Sequence, residues 1–103
     1  MSADDDTRDP VKENQAKGKF KVKNVKGLHS IPSTEIVKCA TSFKSQVYLV
    51  YQKQAVNAKS LLSILMLAAT KGANICVEAT GEDAEEAVTS IINLANNKFY
   101  LSY

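Results

Sequence analysis

The single histidine of the 103-residue chain, His29, is the side chain best suited to covalent chemistry. It closes a loop, Val25 to His29, in which Gly27 supplies backbone freedom, and it stands before a stretch that reads as helix from Ser30. The first turn of a helix carries N–H groups with no intrahelical acceptor, and its dipole end is positive, so an anion is favoured there. Imidazole is a competent nucleophile near neutral pH, its reference pKa being about 6.5. A phosphoryl group on the ring could accept hydrogen bonds from the amides of Ser30 and Ile31. That is nucleophilic catalysis through a covalent intermediate, divided between two partners.

Ser60 is a second candidate. It precedes the apolar run Leu61, Leu62, Ile64, Leu65, Met66, Leu67, and a serine there reads first as an N-cap. Cys39 and Cys76 lie far apart and outside any CxxC motif, so they read as two thiols in a reducing compartment. One histidine and two cysteines fall short of a four-ligand zinc shell. No metal or cofactor is expected.

The elements that must position these residues follow from patterning. Lys19–Asn24 alternates, with Phe20 and Val22 inward and Lys19, Lys21 and Lys23 outward, so it reads as a strand. The lysine face reads as solvated, and its functional reading is an electrostatic guide for acidic partners. Ser30–Phe43 reads as a helix with Pro32 in its first turn and Glu35 near its positive end. Ile36, Val37, Ala40 and Phe43 make its buried stripe. Gln46–Tyr51 and Gln54–Val56 are strands around a tight turn at Gln52–Lys53 that lacks the usual Asn-Gly. A second helix covers roughly Leu61–Ala69, and Gly72 is the expected stop. Asn74–Thr80 alternates again, with Ile75, Val77 and Ala79 inward. Asp83 with Glu86 reads as a capping box for a third helix ending near Asn96.

The order βα, ββ, α, β, α, with strands polar on one face, predicts an α+β fold. It is an open-faced two-layer sandwich, one side of the sheet being covered by three helices. The second helix is apolar nearly all round, and apolar surface beyond what the core needs marks a partner.

Residues 1–17 hold three basic and five acidic groups, and residues 18–103 hold ten basic and six acidic. Residues 1–17 are therefore expected to be a disordered acidic extension, and the domain is expected to run over 18–103. The mildly basic domain favours acidic partners or phosphate. It lacks the dense basic stripe and aromatic platform of a nucleic-acid binder. No apolar run approaches the roughly 20 residues of a membrane span, and the start of the chain, with Asp4, Asp5 and Asp6, is unlike a secretory signal. A cytoplasmic protein without membrane insertion is expected.

Three collinear segments resemble one family. Gly27-Leu28-His29-Ser30-Ile31-Pro32 is similar to the active-site signature G-[LI]-H-A-R-P of HPr, the histidine-containing phosphocarrier of the bacterial sugar phosphotransferase system. Asn57-Ala58-Lys59-Ser60-Leu61-Leu62 is similar to that family's N-x-K-S-[IL]-[ML] regulatory segment. Lys71-Gly72 and Ala79-Thr80-Gly81-Glu82-Asp83-Ala84 resemble its last strand and helix entry.

The resemblance implies a four-stranded antiparallel sheet. It implies that His29 takes phosphate from enzyme I and passes it to sugar-specific enzyme II A components. It implies that Ser60 is the target of an HPr kinase/phosphorylase. Leu61, Leu62 and Leu65 would be the docking patch, and the protein would be a monomeric carrier, not a turnover enzyme. One position departs from the pattern: Ile31 stands where the family has an arginine that would pair with phosphate. Lys26 and Lys59 are the candidate compensating cations. The departure keeps a second reading open, a regulatory binding module controlled at Ser60 that meets a transcriptional regulator, with little or no phosphotransfer.

Overall fold

The computed structural model describes residues 14–101. Four strands and three helices follow in the order β1 (Gln15–Lys21), α1 (Ser30–Thr41), β2 (Gln46–Tyr51), β3 (Gln54–Asn57), α2 (Leu61–Met66), β4 (Asn74–Thr80) and α3 (Ala84–Asn96). A single tight turn, Lys98–Tyr100, comes last. The sheet order is β1-β4-β2-β3, and every neighbouring pair is antiparallel. The α+β open-faced sandwich expected from patterning is the fold.

Alternation sets which residues enter the core. Phe20, Val47, Leu49, Ile75, Val77 and Ala79 are buried beneath the helices, while Lys19, Lys21, Tyr48 and Cys76 face water. From α3, Ala84, Ala87, Val88, Ile91 and Ala95 meet them. Fully burying a side chain such as Ile75 or Leu49 stabilises by about 1.5–3 kcal/mol. Gly18 lies mid-strand under α3, and a Cβ there would be 2.3 Å from Ile92 Cδ1. The glycine lets the helix sit close to the sheet.

Several boundaries differ from the sequence expectation, each for a tertiary reason. β1 begins at Gln15, so the domain start expected near Gly18 falls inside a strand: Gln15, Ala16 and Lys17 pair with Thr80, Ala79 and Glu78. The remainder of the expected extension, residues 1–13, lies outside the described residues. β1 also stops at Lys21, although Val22 stays buried and its amide donates to the Ala73 carbonyl at 2.8 Å. α1 ends at Thr41 and not Phe43, the Ser42 and Phe43 amides folding back onto the Cys39 and Ala40 carbonyls. Glu35 lies beyond the first turn and pairs with Lys38 at 3.2 Å.

One helix stop and one helix start differ from the sequence expectation. α2 ends at Met66 because Ala68 turns left-handed, with φ +52°, and Gly72 belongs to a later turn. The capping box at Asp83 does not form. Its carboxylate reaches across to the two residues before β2 instead, accepting from the Lys44 amide at 2.8 Å, the Ser45 amide at 2.9 Å and the Ser45 hydroxyl. The Ser45 hydroxyl and the Lys44 amide lower the Asp83 pKa to about 2.

Candidate functional site

His29 is the N-cap of α1, with φ −78° and ψ −167°. Its carbonyl accepts the first helical bond, from the Ser33 amide at 3.1 Å. The ring is half-buried and its Nε2 atom is enclosed. Ser30 and Ile31 are the exposed first two helical residues, and helix geometry gives their amides no intrahelical acceptor. Pro32, next in line, has no N–H to leave unsatisfied. Ser33 is fully buried and its hydroxyl donates to the Leu28 carbonyl at 3.0 Å, which fixes the chain one residue before the histidine.

The loop that presents His29 is held against the segment after α2. The Leu28 amide donates to the Ala69 carbonyl at 2.9 Å. Gly27, at φ +70°, leaves room for that carbonyl, since a Cβ would lie 2.3 Å from it. At the other end, Lys59 Nζ donates to the Phe43 carbonyl at 2.9 Å. α1 and α2 therefore run antiparallel and are tied at both ends, with His29 beside the exit of α2 and Ser60 beside the exit of α1.

This geometry separates the two cations expected to compensate for the missing arginine. Lys26 is exposed on the histidine loop. Lys59 is occupied at the far end of α1, about 18 Å along a 12-residue helix, so it does not stand beside His29. Ile31 itself is 45% exposed.

Ser60 caps α2 as patterning predicts: its hydroxyl accepts from the Ser63 amide at 3.3 Å. Leu61 and Leu62 are exposed, whereas Leu65 is half-buried and serves the core in part. Met66 was not singled out for docking, yet at 68% it is as exposed as Leu62. Val25, on the histidine loop, is exposed as well. A helix that is apolar all round gives no clue to which side faces out, and only the packing of Ile64 and Leu67 settles it.

The remaining chemistry-bearing groups stand apart. Cys39 and Cys76 are free thiols, and burial raises the Cys39 pKa. Among the described residues no cluster of His, Cys, Asp or Glu could hold a metal ion, and no helix is long and apolar enough to cross a membrane.

A four-stranded open-faced sandwich with a histidine at the mouth of its first helix defines a class of small phosphocarriers, and comparison with known proteins agrees. The family described as PTS HPr component phosphorylation site matches residues 16–97. The chain belongs to the HPr family. It is 36% identical over 83 residues to the phosphocarrier protein HPr of Neisseria meningitidis serogroup A, covering 81% of this chain and 93% of that one. It is 41% identical over 69 residues to the phosphocarrier protein HPr of Buchnera aphidicola, covering 67% and 81%.

Among solved structures, HPr-C-His from Thermoanaerobacter tengcongensis superposes with a TM-score of 0.82 at 32% identity, over 85% of this chain and 99% of that one. Crh, the Bacillus subtilis catabolite repression HPr, superposes at 0.60 with 31% identity, over 78% and 95%.

Proposed function

We propose that the protein is a phosphocarrier of the phosphotransferase system, accepting a phosphoryl group from enzyme I on His29 and passing it to enzyme II A components. The observation that carries this reading is the position of His29 as N-cap of α1, with the Ser30 and Ile31 amides next in the chain. Because Nε2 is enclosed, the reactive atom is Nδ1, and the ring proton stays on Nε2. The Nδ1 lone pair attacks phosphorus, the N–P bond forms as the bond to the donor breaks, and the donor leaves with its electron pair. The reverse sequence delivers the group to the acceptor. Amides and helix dipole stabilise the extra negative charge.

The docking surface in this reading is Leu61, Leu62 and the exposed part of Leu65, extended by Met66 and Ile31. The experiment is incubation with phosphoenolpyruvate and enzyme I. Acid-labile, base-stable phosphate that is lost in His29→Ala supports the reading. Its absence from the wild-type protein overturns it.

A second reading is favoured by Ile31 and by the likeness to Crh. Here the protein is a regulatory module that an HPr kinase/phosphorylase modifies on Ser60 and that a transcriptional regulator recognises. A phosphoserine at the α2 N-cap adds about −1.5 to −2 charge beside Leu61 and Leu62. It would repel an acidic partner without unfolding the domain. ATP and the kinase should then label wild type but not Ser60→Ala, and equal labelling of both would remove the site.

A further inference from the structure

The face of the sheet turned away from the helices carries a row of cations. Lys17, Lys19 and Lys21 alternate along β1 and are all exposed, while Phe20 enters the core. Register sets what lies beside them: Lys17 is opposite Glu78, Lys19 opposite Cys76 and Lys21 opposite Asn74. One strand further, Glu78 meets Tyr48 and Cys76 meets Val50. Among the described residues Glu78 is the one carboxylate that the strands place on this face, and it is half-buried. No salt bridge joins Lys17, Lys19 or Lys21 to another described residue. β1 is also an edge of the sheet, so the lysine row borders open solvent.

The opposite charge lies in the chain just before this strand. Residues 1–13 hold five acidic groups, Asp4, Asp5, Asp6, Asp9 and Glu13, against two basic ones, Arg8 and Lys12, which is a net −3. Asp4, Asp5 and Asp6 form an uninterrupted run. The chain enters β1 at a fixed point, where the Gly81 amide donates to the Asn14 carbonyl at 2.9 Å and Asn14 Nδ2 donates to the Glu82 carbonyl at 3.4 Å. Residues 1–13 can span about 43–47 Å at most, whereas β1 rises only about 23 Å. Tethered at Asn14, the segment is long enough to double back over every lysine of the row.

We propose that residues 1–13 dock on the open face of the sheet as an internal anionic cover, with Asp4, Asp5 and Asp6 set against Lys17, Lys19 and Lys21. The inference stands apart from the phosphocarrier reading, because His29 and α2 belong to the helical layer and not to this face. Asp9-Pro10 is a dipeptide that favours a turn, and it puts the aspartate run on the returning arm. A lysine is a point charge on a flexible stem that asks for no fixed geometry, so a run of carboxylates suits a row of them. Exposed ion pairs are individually weak and are screened by salt. The tether offsets this by holding the aspartates at an effective concentration of about millimolar. Once covered, the row no longer competes with the helical face for acidic partners.

The test is amide NMR of the full chain labelled with nitrogen-15, at low salt. Relative to wild type, Asp4→Asn/Asp5→Asn/Asp6→Asn should move the signals of Lys17, Lys19, Lys21, Cys76 and Glu78 and leave those of α1 and α2 in place. Reciprocally, Lys17→Gln/Lys19→Gln/Lys21→Gln should move the signals of Asp4, Asp5 and Asp6. Lys38→Gln/Lys53→Gln/Lys71→Gln, which removes the same charge elsewhere, should not. The differences should vanish near 1 M salt, where screening reaches about 3 Å, and should be unchanged on dilution, since the contact is intramolecular. Open-face signals that do not respond to the aspartate variant would overturn the proposal. So would equal responses to the two lysine variants, or differences that survive high salt. Differences that fade on dilution would overturn it in favour of the acidic segment of a second copy.

Discussion

The amide of Leu28 donates to the carbonyl of Ala69 at 2.9 Å, and this one bond couples the loop before His29 to the exit of α2. Ala68 is left-handed one residue earlier, which terminates α2 just where the loop needs its acceptor. The His29 loop and α2 are thereby a single unit, with Gly27 as the point of closest approach.

Gly27→Ala should be severe. The new Cβ would lie 2.3 Å from the Ala69 carbonyl at φ +70°, so strain and displacement together cost about 2–4 kcal/mol. Because His29 moves with the loop, phosphotransfer should fall by about 100-fold or more. Gly72→Ala is the control. It sits at φ +91° with nothing within 4 Å of a Cβ, and should cost about 1 kcal/mol with transfer unchanged. Urea melts and transfer assays on the two variants check the contrast.

The β2–β3 turn places Gln52 and Lys53 at φ +52° and +66°. These are the signs of the mirror-image hairpin turn that favours Asn-Gly. Gln52→Asn/Lys53→Gly should therefore stabilise the domain by about 1–2 kcal/mol. A thermal melt should show a rise in Tm of several degrees, and an unchanged or lowered Tm would contradict the turn geometry.

Asp83 ties the entry of α3 to the start of β2, and its folded pKa is lowered from 3.8 to about 2. For a depressed carboxylate, the stabilisation is complete above the unfolded pKa and is lost as pH falls through the folded one. Asp83→Asn should therefore be less stable than wild type at pH 6. The gap should narrow from about pH 4 downward and close near pH 2, as denaturant midpoints across that range will show.

Ile31→Arg restores a guanidinium at the exposed second position of α1. A charge-assisted hydrogen bond contributes about 1.5–3 kcal/mol, so kcat/KM for transfer should rise by about one to two decades. A fall would mean that Ile31 is a packing contact for the partner.

What could be read from the sequence divides by distance along the chain. The helix mouth at His29, the cap at Ser60 and the inward faces of β1 and β4 rest on neighbouring residues, and all were legible. Asp83 has the spacing of a capping box, but its carboxylate is claimed by Lys44 and Ser45, 39 and 38 residues away. Lys59 looked like a cation for the site until the fold carried it to the Phe43 carbonyl. Ala68 gives no signal for a left-handed turn, because alanine has no preference for that conformation. Lys98, Phe99 and Tyr100 share it, at φ +53°, +57° and +58°. They are held there by burial of Phe99 edge-on to Phe20, with ring centroids 6.4 Å apart, and by the Asn24 hydrogen bond.

The most direct measurement is nitrogen-15 and phosphorus-31 NMR of the protein after treatment with phosphoenolpyruvate and enzyme I. The account predicts one N–P signal, on Nδ1 of His29, which disappears in acid. A phosphoryl group on Nε2, a signal only from an oxygen ester at Ser60, or no phosphoryl signal at all would contradict it.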